Sequence, residues 1–544
     1  MISLSRFLTW LSLGCVLICG CGSDEWPTYQ HDPLRTGSQP FKSRLSDPSK
    51  VKHLAVAWRW SPQYHTPNAD PNVVSPPSGG GGGYSASPAV YKGVVYAGHL
   101  NGHMYAVRDD GDSGKMLWEY PAPGQPPLMS QPFPNSQFNP SFPGIASSAT
   151  VVEGVQGQTT VIFGGPDDSA STGTVGDRLY ALNATTGARI WRSPVLARWD
   201  HNEQIGYSSP LVVNGKVYIG MASHGDMPVV QGQLVAIDLQ TGQRVTSFTP
   251  FIAAMPRGGG VWSSPASIPG GDLAITTGNS CYYGLTSPNC KVEPIPNHAP
   301  SMLRLDGATG TPLWEFHPVP WQFDGDDDWA STPAVQLATC HTMAVARLKD
   351  GYTHAIDVAT GPQIGQAIRR WTFPEAAIPF TNTQYGYEYT LRPAALWNDV
   401  VIVVTGGLDL PSYPEAGASR LYALNSCAGS SQRVRWWMQF GASVGAPSVT
   451  RGIAYVGDAS GQLWAIADTT VVLSTARHCE YPGWDISFFG LSLCTLMGKR
   501  ETPIPVVLAS VRLSGGIRTT PALARGRVYV TTDEGHLYAV APCP

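Results

Sequence analysis

The chain has 544 residues and a formal net charge of −4, and only 14% of its residues are charged. Its 59 glycines, 47 prolines, 17 tryptophans and 22 tyrosines suit short strands joined by tight turns, and they suit long charged helices poorly. Without a basic cluster or a positive net charge, the sequence lacks the electrostatic basis of nucleic-acid binding, so we expect no nucleic-acid partner.

The N-terminal residues predict export. Arg6 precedes an apolar stretch, Phe7 to Ile18, that is short for a membrane span. It runs into a Cys-Gly-Cys sequence that resembles a bacterial lipobox. We expect residues 1–20 to be a lipoprotein signal peptide and Cys21 to carry the lipid that anchors a periplasmic or cell-envelope protein to a membrane. An ordinary signal peptide that is cut nearby is the alternative. Residues 21–50 are then predicted to be a tether and linker.

An internal repeat fills most of the remaining sequence. Its first half is a small residue and a proline, an apolar strand, a turn and a second strand, as in Ser87-Pro88-Ala89-Val90 followed by Gly93-Val94-Val95-Tyr96. Its second half resembles Gly-x-Leu-Tyr-Ala-Leu-Asp, followed by a Thr-Gly turn and a tryptophan, as in residues 178–191. Each unit therefore predicts four short antiparallel strands. Copies of the second half begin near residues 102, 178, 232, 302, 351, 421, 461 and 535.

These units predict an all-β protein, an eight-bladed β-propeller of four-stranded antiparallel blades. A single blade cannot bury both of its faces, whereas blades packed in a ring bury each face against a neighbour. The tryptophan of each unit is expected to wedge between blades. The last unit lacks its outer strand, so we expect residues 51–60 to complete it and close the ring. The propeller is predicted to span 51–544, with insertion loops at 67–83, 122–143 and 469–516.

The cysteines agree with export to an oxidising compartment. Cys281 with Cys290, and Cys479 with Cys494, would each close a short loop. Cys340 with Cys427 is a less certain pairing from spacing alone, and Cys543 is then left over. The sequence contains no Cys-x-x-Cys-His, the pattern that attaches a c-type haem.

The repeats resemble those of the propeller family that binds pyrroloquinoline quinone (PQQ). This family includes quinoprotein alcohol dehydrogenases, polyvinyl-alcohol-dehydrogenase-like proteins and non-enzymatic propellers. The resemblance covers nearly all of the mature chain. Residues 26–37, which read Trp-Pro-Thr-Tyr-Gln-His-Asp-Pro-Leu-Arg-Thr-Gly, also look like the opening segment common among bacterial members. The repeat alone does not separate enzymes from scaffolds, but three further stretches bear on that question.

The first stretch is glycine-rich and contains Trp262. In the family, a tryptophan in a similar stretch puts its indole flat under the quinone, and a later asparagine, here Asn279, ligates calcium. A planar quinone needs a flat apolar floor, and a hard cation needs oxygen ligands. From the residues alone, Trp262 is equally well a packing residue and Asn279 a turn residue.

The other two stretches carry charge. Asp328 lies five residues before Pro333 in an acidic run and matches the family's active-site aspartate, which acts as general base on the substrate alcohol and is a calcium ligand. A solvated acidic loop, or a calcium loop unrelated to catalysis, is the alternative. Lys349 matches the family's lysine or arginine that reaches the quinone oxygens. A β-turn at Asp350-Gly351 would explain that stretch equally well.

Two features depart from the family pattern. The calcium-ligating glutamate of the third repeat is missing. Asp226 is the nearest carboxylate, one position out of register, and His224 could occupy the space instead. The disulfide between adjacent cysteines, found in many alcohol-oxidising members, is also missing. This argues against the oxidation of small alcohols of the methanol type.

The resemblance implies a PQQ-dependent, dehydrogenase-like oxidoreductase that uses calcium and oxidises an alcohol, a sugar or a polymer hydroxyl by hydride transfer. Electrons would then pass to an external acceptor such as a cytochrome c, since the chain has no haem motif. The main alternative is a non-catalytic propeller similar to the lipoprotein scaffold of the outer-membrane protein assembly machinery. A third interpretation is a quinone or metal sensor without turnover.

Overall fold

The structure is a computed structural model. It describes residues 24–62, 86–129, 144–167, 176–206, 208–224, 229–252, 258–279, 298–317, 329, 331–348, 352–359, 365–373, 392–406, 419–441, 444–479, 487–488, 491–492, 494 and 500–543.

The described strands form eight four-stranded antiparallel blades, which confirms the predicted fold class. The innermost strand of each blade contacts the innermost strand of the next blade, and that of the eighth contacts that of the first, so the ring is closed around a central channel. From the inner to the outer strand, blade 1 comprises Ala89–Tyr91, Val94–Gly98, Met104–Asp109 and Gly114–Tyr120; blade 2, Thr150–Val155, Gln158–Pro166, Gly176–Asn183 and Arg189–Arg192; blade 3, Leu211–Val213, Lys216–Ser223, Gln233–Asp238 and Phe251–Ile252; blade 4, Ala266–Ser267, Leu273–Thr276, Met302–Leu305 and Pro312–Phe316; blade 5, Ala334–Leu337, Thr342–Arg347, Thr353–Asp357 and Ile368–Phe373; blade 6, Ala395–Trp397, Val400–Gly406, Ser419–Asn425 and Val434–Phe440; blade 7, Ser448–Thr450, Ile453–Gly457, Gln462–Ala467 and Val506–Arg512; blade 8, Ala522–Ala524, Arg527–Thr531, Leu537–Pro542 and Leu54–Trp60.

Other elements in the described residues are short. Additional strands are Ala197–Arg198, Glu203–Gln204, Gly365–Gln366, Arg477–Cys479, Ser487–Phe488, Leu491–Ser492 and Glu501–Pro503. Helical segments are the α-helix Pro48–Val51 and the 3-10 helices Arg44–Ser46, Trp199–His201 and Ser430–Gln432. Among the described residues, no helix has both the length and the apolar character needed to cross a membrane.

The N-terminal strand closes the ring as predicted. Leu54–Trp60 pairs antiparallel with Leu537–Pro542 and supplies the outer strand of blade 8. This strand begins at Leu54 rather than Val51, because Pro48–Val51 forms a helical turn that starts at the proline and is capped by Asp47.

A tryptophan from an outer strand packs against the following blade. Trp118 lies opposite the small residue Ala106 at a β-bulge, and its Nε1 donates to the carbonyl oxygen of Ala184 in blade 2 at 2.9 Å. The Thr-Gly turn lies against this indole: Gly187 has φ +72°, and a Cβ there would meet the ring at 2.8 Å. The predicted wedge and turn are therefore confirmed. The same indole-to-next-blade hydrogen bond is made by Trp58, Trp191, Trp314 and Trp436.

Two of the three disulfide pairings suggested by the sequence are present in the structure. Cys340 and Cys427 form a disulfide between blades 5 and 6, and Cys479 and Cys494 form one within the insertion of blade 7. Cys543 is free and exposed. The proposed partners Cys281 and Cys290 lie outside the described residues.

The insertion loops are described in part. The predicted range 469–516 also contains Val506–Arg512, the outer strand of blade 7, so the insertion ends before Val506. The 67–83 loop and residues 130–143 of the second loop lie outside the described residues.

Residues 24–39, which we call the plug, cross the channel and bond to every blade. In six blades the second residue of the inner strand donates its N–H to a plug carbonyl at 2.7 to 2.9 Å: Val90 to Trp26, Val151 to Pro27, Ser267 to Pro33, Val335 to Leu34, Leu396 to Thr36 and Val449 to Gly37. Blades 3 and 8 instead offer carbonyl oxygens to the side chains of Arg35 and Gln39. The prediction that these residues are a tether and linker is therefore wrong. The inner strands present N–H groups to the channel, and the irregular plug presents carbonyl groups, so each satisfies the other.

Candidate functional site

The two ends of the channel are built differently. Since the first two strands of a blade are antiparallel, the start of the inner strand and the end of the second strand lie at the same end of the ring. We call this the site end. Tight hairpin turns lie at the other end.

Trp262 and Asn279, both predicted from the sequence, lie together at the site end of blade 4. Trp262 precedes the inner strand, and Asn279 follows the second strand. The Asn279 carbonyl accepts a hydrogen bond from the Gly259 N–H at 2.7 Å, and the hydroxyl of Ser263 lies 2.7 Å from that of Thr276. Asn279 is buried and Trp262 is half-buried. The backbone thus holds the two predicted residues on neighbouring segments.

Glycines before Trp262 allow this close approach. Gly258 and Gly259 have φ +103° and +66°, which favour glycine. A Cβ on Gly260 would lie 2.9 Å from the Cβ of Ala222 in blade 3. The three glycines therefore form a tight cradle between blades 3 and 4, and Trp262 follows at its end.

The predicted base and cation fall just outside the described residues, as does Asp226. Trp329, which follows Asp328, forms an isolated antiparallel bridge with Leu348, which precedes Lys349. The Trp329 N–H also points to the carbonyl of Thr277 at 3.4 Å, two residues before Asn279. The chain neighbours of three predicted site residues thus meet at the junction of blades 4 and 5.

A ring of hydroxyl groups lines the channel below this site. Each hydroxyl belongs to the serine or threonine at the start of an inner strand and accepts the N–H of the equivalent residue in the preceding blade. We call this the hydroxyl ring. The bonds, at 2.8 to 3.1 Å, run from Thr520 to Ser87, Ser87 to Ser148, Ser148 to Ser209, Ser209 to Ser264 and Ser264 to Thr332. This ring explains the Ser/Thr-Pro motif, which the sequence showed only as a repeat marker.

The plug forms the floor beneath the hydroxyl ring. Arg35 is fully buried and donates all five of its N–H groups to the oxygens of Pro265, Thr28, Tyr29, Ser209 and Pro210, at 2.8 to 3.3 Å. Burial lowers the pKa of Arg35 to about 10, so the guanidinium remains protonated at neutral pH. The candidate site is therefore a chamber with one open end.

Few described residues at the site end can ligate a metal. His224 is buried, and burial lowers the pKa of its imidazole, which is therefore neutral at pH 7. Neutral imidazole is a poor ligand for calcium, which prefers oxygen. Among the described residues no three His, Cys, Asp or Glu side chains group as a metal site. Asn279 supplies one amide oxygen, and the acidic ligands of the prediction, Asp226 and Asp328, lie outside the described part.

Comparison with known proteins identifies the kind of propeller. The family model "Glucose/ethanol/alcohol dehydrogenase, beta-propeller domain", labelled PQQ, matches residues 26–257. Over these residues the chain is similar to the PQQ-type β-propeller family. The quinoprotein alcohol dehydrogenase PedH of Pseudomonas putida is 28% identical over 312 residues, which cover 51% of this chain and 47% of PedH. The quinohemoprotein alcohol dehydrogenase ADH IIB of Pseudomonas putida is 25% identical over 413 residues, 69% of this chain and 52% of the relative. The matched part thus spans about half the length of these relatives.

Solved structures support the propeller fold. A europium-containing methanol dehydrogenase superposes with a TM-score of 0.63 at 17% identity, covering 95% of this chain and 98% of that chain. The quinohemoprotein alcohol dehydrogenase from Comamonas testosteroni has the same TM-score and identity and covers 95% and 80%. At this identity the two superpositions show a shared propeller fold.

Sequence reasoning missed the polar lining of the channel. Arg35 belongs to the opening segment that was recognised, but nothing local indicates that its partners lie 230 residues away in blade 4. Arg392 and Arg518, which precede the inner strands of blades 6 and 8, were also not singled out. Their signal was a departure from the repeat: an arginine stands where other units have a small residue or an indole.

Proposed function

We propose that this PQQ-type propeller is a PQQ-dependent dehydrogenase that oxidises an alcohol, sugar or polymer hydroxyl at the site end of the channel. The observation that carries the proposal is the Trp329–Leu348 bridge beside Thr277. It brings the neighbours of Asp328 and Lys349 to the blade that carries Trp262 and Asn279. Structural repeats alone do not require these four residue types in the stretches that approach each other here.

The residues present fit the quinone and, in part, calcium. The half-buried Trp262 at the end of the glycine cradle offers an apolar floor for a planar ring. The amide of Asn279 and the carboxylates of Asp328 and Asp226 are the oxygen donors that calcium prefers. When bound, PQQ accepts the hydride that leaves the alcohol carbon, which gives a carbonyl product and the reduced quinone.

The chain's own residues would do the remaining work. Trp262 would orient the ring face, and Lys349 would hold a positive charge beside the accepting carbonyl. Asp328 would take the proton of the substrate hydroxyl. The plug closes the far end of the channel, so substrate would enter from the site end alone. Electrons would pass to an external acceptor such as a cytochrome c.

Export and lipid attachment at Cys21 belong to the same proposal, because a PQQ enzyme that transfers electrons to a cytochrome c fits the cell envelope. Mass spectrometry of the membrane-extracted protein should show a diacylglyceryl modification on the peptide that begins at Cys21. A peptide that begins elsewhere and carries no lipid would contradict the anchor.

Reconstitution tests the catalytic proposal. The purified protein should acquire a bound quinone spectrum with PQQ and calcium and then reduce a dye with some member of a panel of primary, secondary and polymeric alcohols. Asp328→Asn should keep the quinone spectrum and lose about 10²–10⁴-fold in turnover, since it removes the general base. Asp324→Asn, which removes a carboxylate from the same acidic run, is the matched control and should retain turnover. A wild-type protein that binds no quinone would overturn the enzyme proposal in favour of a scaffold.

A further inference from the structure

The described chain enters the propeller at the end of the channel opposite the site end. We call this the hairpin end, since the tight turns between the first two strands of the blades lie there. Asp24, the first described residue, is bonded to such a turn in blade 8. Its carbonyl oxygen accepts the Arg525 N–H at 2.9 Å, and its carboxylate accepts the Gly526 N–H at 3.0 Å. Asp24 is therefore fixed at the hairpin end.

Cys21, the proposed site of lipid attachment, stands three residues before Asp24. Since consecutive Cα atoms are 3.8 Å apart, three residues span at most about 11 Å. The ring is deeper than that: the strand Gln158–Pro166 of blade 2 has 9 residues and is about 30 Å long at 3.3 Å per residue. A lipid on Cys21 would therefore hold the hairpin end nearer to the membrane than the site end.

A basic segment, residues 42–53, lies across the hairpin end of blades 7 and 8. Arg44 donates to the carbonyl oxygen of Cys543, which follows the third strand of blade 8, at 2.8 Å. The Tyr455 hydroxyl of blade 7 donates to the carbonyl oxygen of Leu45 at 2.7 Å, and the Leu45 side chain is buried. The backbone and the apolar side chain thus fix this segment to both blades.

The exposed charges at this end of blades 7 and 8 are mainly positive. Five exposed cations form no ion pair with the described residues: Lys42, Arg44, Lys50 and Lys52 in the basic segment and Arg451 in the turn of blade 7. The one carboxylate of the segment, Asp47, caps its helical turn. Nearby, Arg525 pairs with Glu25 at 3.0 Å, and Lys92 pairs with Glu153 at 2.7 Å. Unpaired positive charge thus lies beside the point where the lipid would attach.

We propose that the hairpin end of blades 7 and 8 docks on an anionic phospholipid surface, so that the site end faces away from the membrane. The proposal rests on the lipid proposed at Cys21 and on no step of the catalytic proposal. Anionic headgroups attract lysine and arginine over about 8 Å at physiological ionic strength, which is within the reach of the three residues that follow Cys21. The lipid would supply proximity, and the cations would select the face that turns to the bilayer.

This orientation has a consequence for the proposed enzyme. The channel would open toward the aqueous phase, so a water-soluble substrate and an external cytochrome c would reach it without crossing the membrane surface.

Site-specific quenching tests the orientation. The full chain, extracted from membranes, is placed in phosphatidylcholine vesicles that contain about one quarter phosphatidylglycerol and a lipid with a nitroxide on its headgroup, which quenches only nearby fluorophores. Cys543 is free and exposed at the hairpin end and takes a maleimide fluorophore. The second label position is Ser460→Cys in a Cys543→Ser background, exposed at the site end of blade 7. The label at position 543 should be quenched and the label at position 460 should not, and Cys543→Ser alone gives the background labelling.

Charge variants test the anionic partner. Lys50→Gln/Lys52→Gln removes two of the exposed cations. One charge near an anionic surface changes the ratio of docked to undocked protein about fivefold, so the double variant should lower this ratio about tenfold or more. Arg59→Gln/Arg512→Gln is the matched control, since both arginines are exposed near the site end of the outer strands of the same blades. It should behave as the wild type does, and vesicles of phosphatidylcholine alone should remove the difference.

The failures can be told apart. Equal quenching at positions 543 and 460 in a lipidated protein would overturn the docking face and leave the anchor standing. Quenching at Cys543 that is unchanged in Lys50→Gln/Lys52→Gln and in phosphatidylcholine vesicles would overturn the anionic partner. If mass spectrometry finds no lipid at Cys21, sedimentation with the same vesicles decides: binding that requires phosphatidylglycerol keeps the docking face, and no binding overturns it. A protein that docks as expected but binds no PQQ would sink the catalytic proposal alone.

Discussion

Arg35 and Arg392 are both enclosed guanidinium groups whose charges act on Tyr29 of the plug, but their surroundings are opposite. Arg35, in the plug, has an oxygen acceptor for each of its five N–H groups. Arg392, which precedes Pro393 and the inner strand of blade 6, makes no hydrogen bond to the described residues. Burial lowers the pKa of both to about 10. A buried guanidinium whose donors are all hydrogen-bonded stabilises the segments that it joins. One without acceptors destabilises the folded state unless a bound ligand supplies them.

The largest expected effect on stability comes from replacing Arg35 of the plug. Arg35→Met should lower the free energy of unfolding by at least about 4 kcal/mol, because the oxygens in the plug and in blades 3 and 4 lose their donors inside the protein. Arg392→Met should cost less than about 0.5 kcal/mol, or should stabilise, since it removes a charge that has no hydrogen-bond acceptor among the described residues. Urea denaturation of both variants without added anions measures the difference. Equal losses would show that Arg392 is structural as well.

The blades were predictable from sequence because their information is local. The tryptophan near the end of the unit, the Thr-Gly turn and the missing last strand are all visible within the repeats. The plug was not predictable, because residues 24–39 have no periodicity and their partners lie up to about 500 residues away, as in the bond from Gln39 to Leu523. Of the site, Trp262 and Asn279 were found together through the resemblance. Arg35, Arg392 and Arg518 were missed because a single arginine in a sequence is normally expected on the surface.

Asp177, at the site end of blade 2, extends the comparison of buried charged groups from cations to a carboxylate. Its carboxylate accepts hydrogen bonds from the Ile205 N–H at 2.8 Å and the Trp199 Nε1 at 3.0 Å, but burial still raises its pKa to about 6, and Asp167 adds to the shift. The unfolded chain releases this proton near pH 4. Between about pH 4 and pH 6 the folded state therefore binds more protons than the unfolded state, so the free energy of unfolding falls as the pH rises through this range.

We expect this single group to remove about 3 kcal/mol between pH 4 and pH 7. Asp177→Asn, which cannot titrate, should be less stable than the wild type at pH 4 relative to their difference at pH 7. Urea midpoints of both proteins at the two pH values give this double difference. A difference that does not change with pH would mean that Asp177 stays ionised in the folded protein, as a carboxylate with two donors can.

The smallest expected effects come from two variants of the hydroxyl ring, one at Ser209, which accepts a ring hydrogen bond, and one at Ala446, where blade 7 has no hydroxyl. Ser209→Ala removes the acceptor of the Ser148 N–H and should cost about 1 kcal/mol, because a buried donor loses its partner. Ala446→Ser adds a hydroxyl to blade 7 and should change the free energy of unfolding by less than about 0.5 kcal/mol, since the equivalent residue of blade 6 is Pro393, which has no N–H to donate to it. Thermal and urea unfolding of the two variants, with Ser113→Ala at an exposed turn as control, gives the comparison. If Ala446→Ser stabilised the protein as much as Ser209→Ala destabilised it, the missing hydroxyl of blade 7 would be a defect that one hydroxyl repairs.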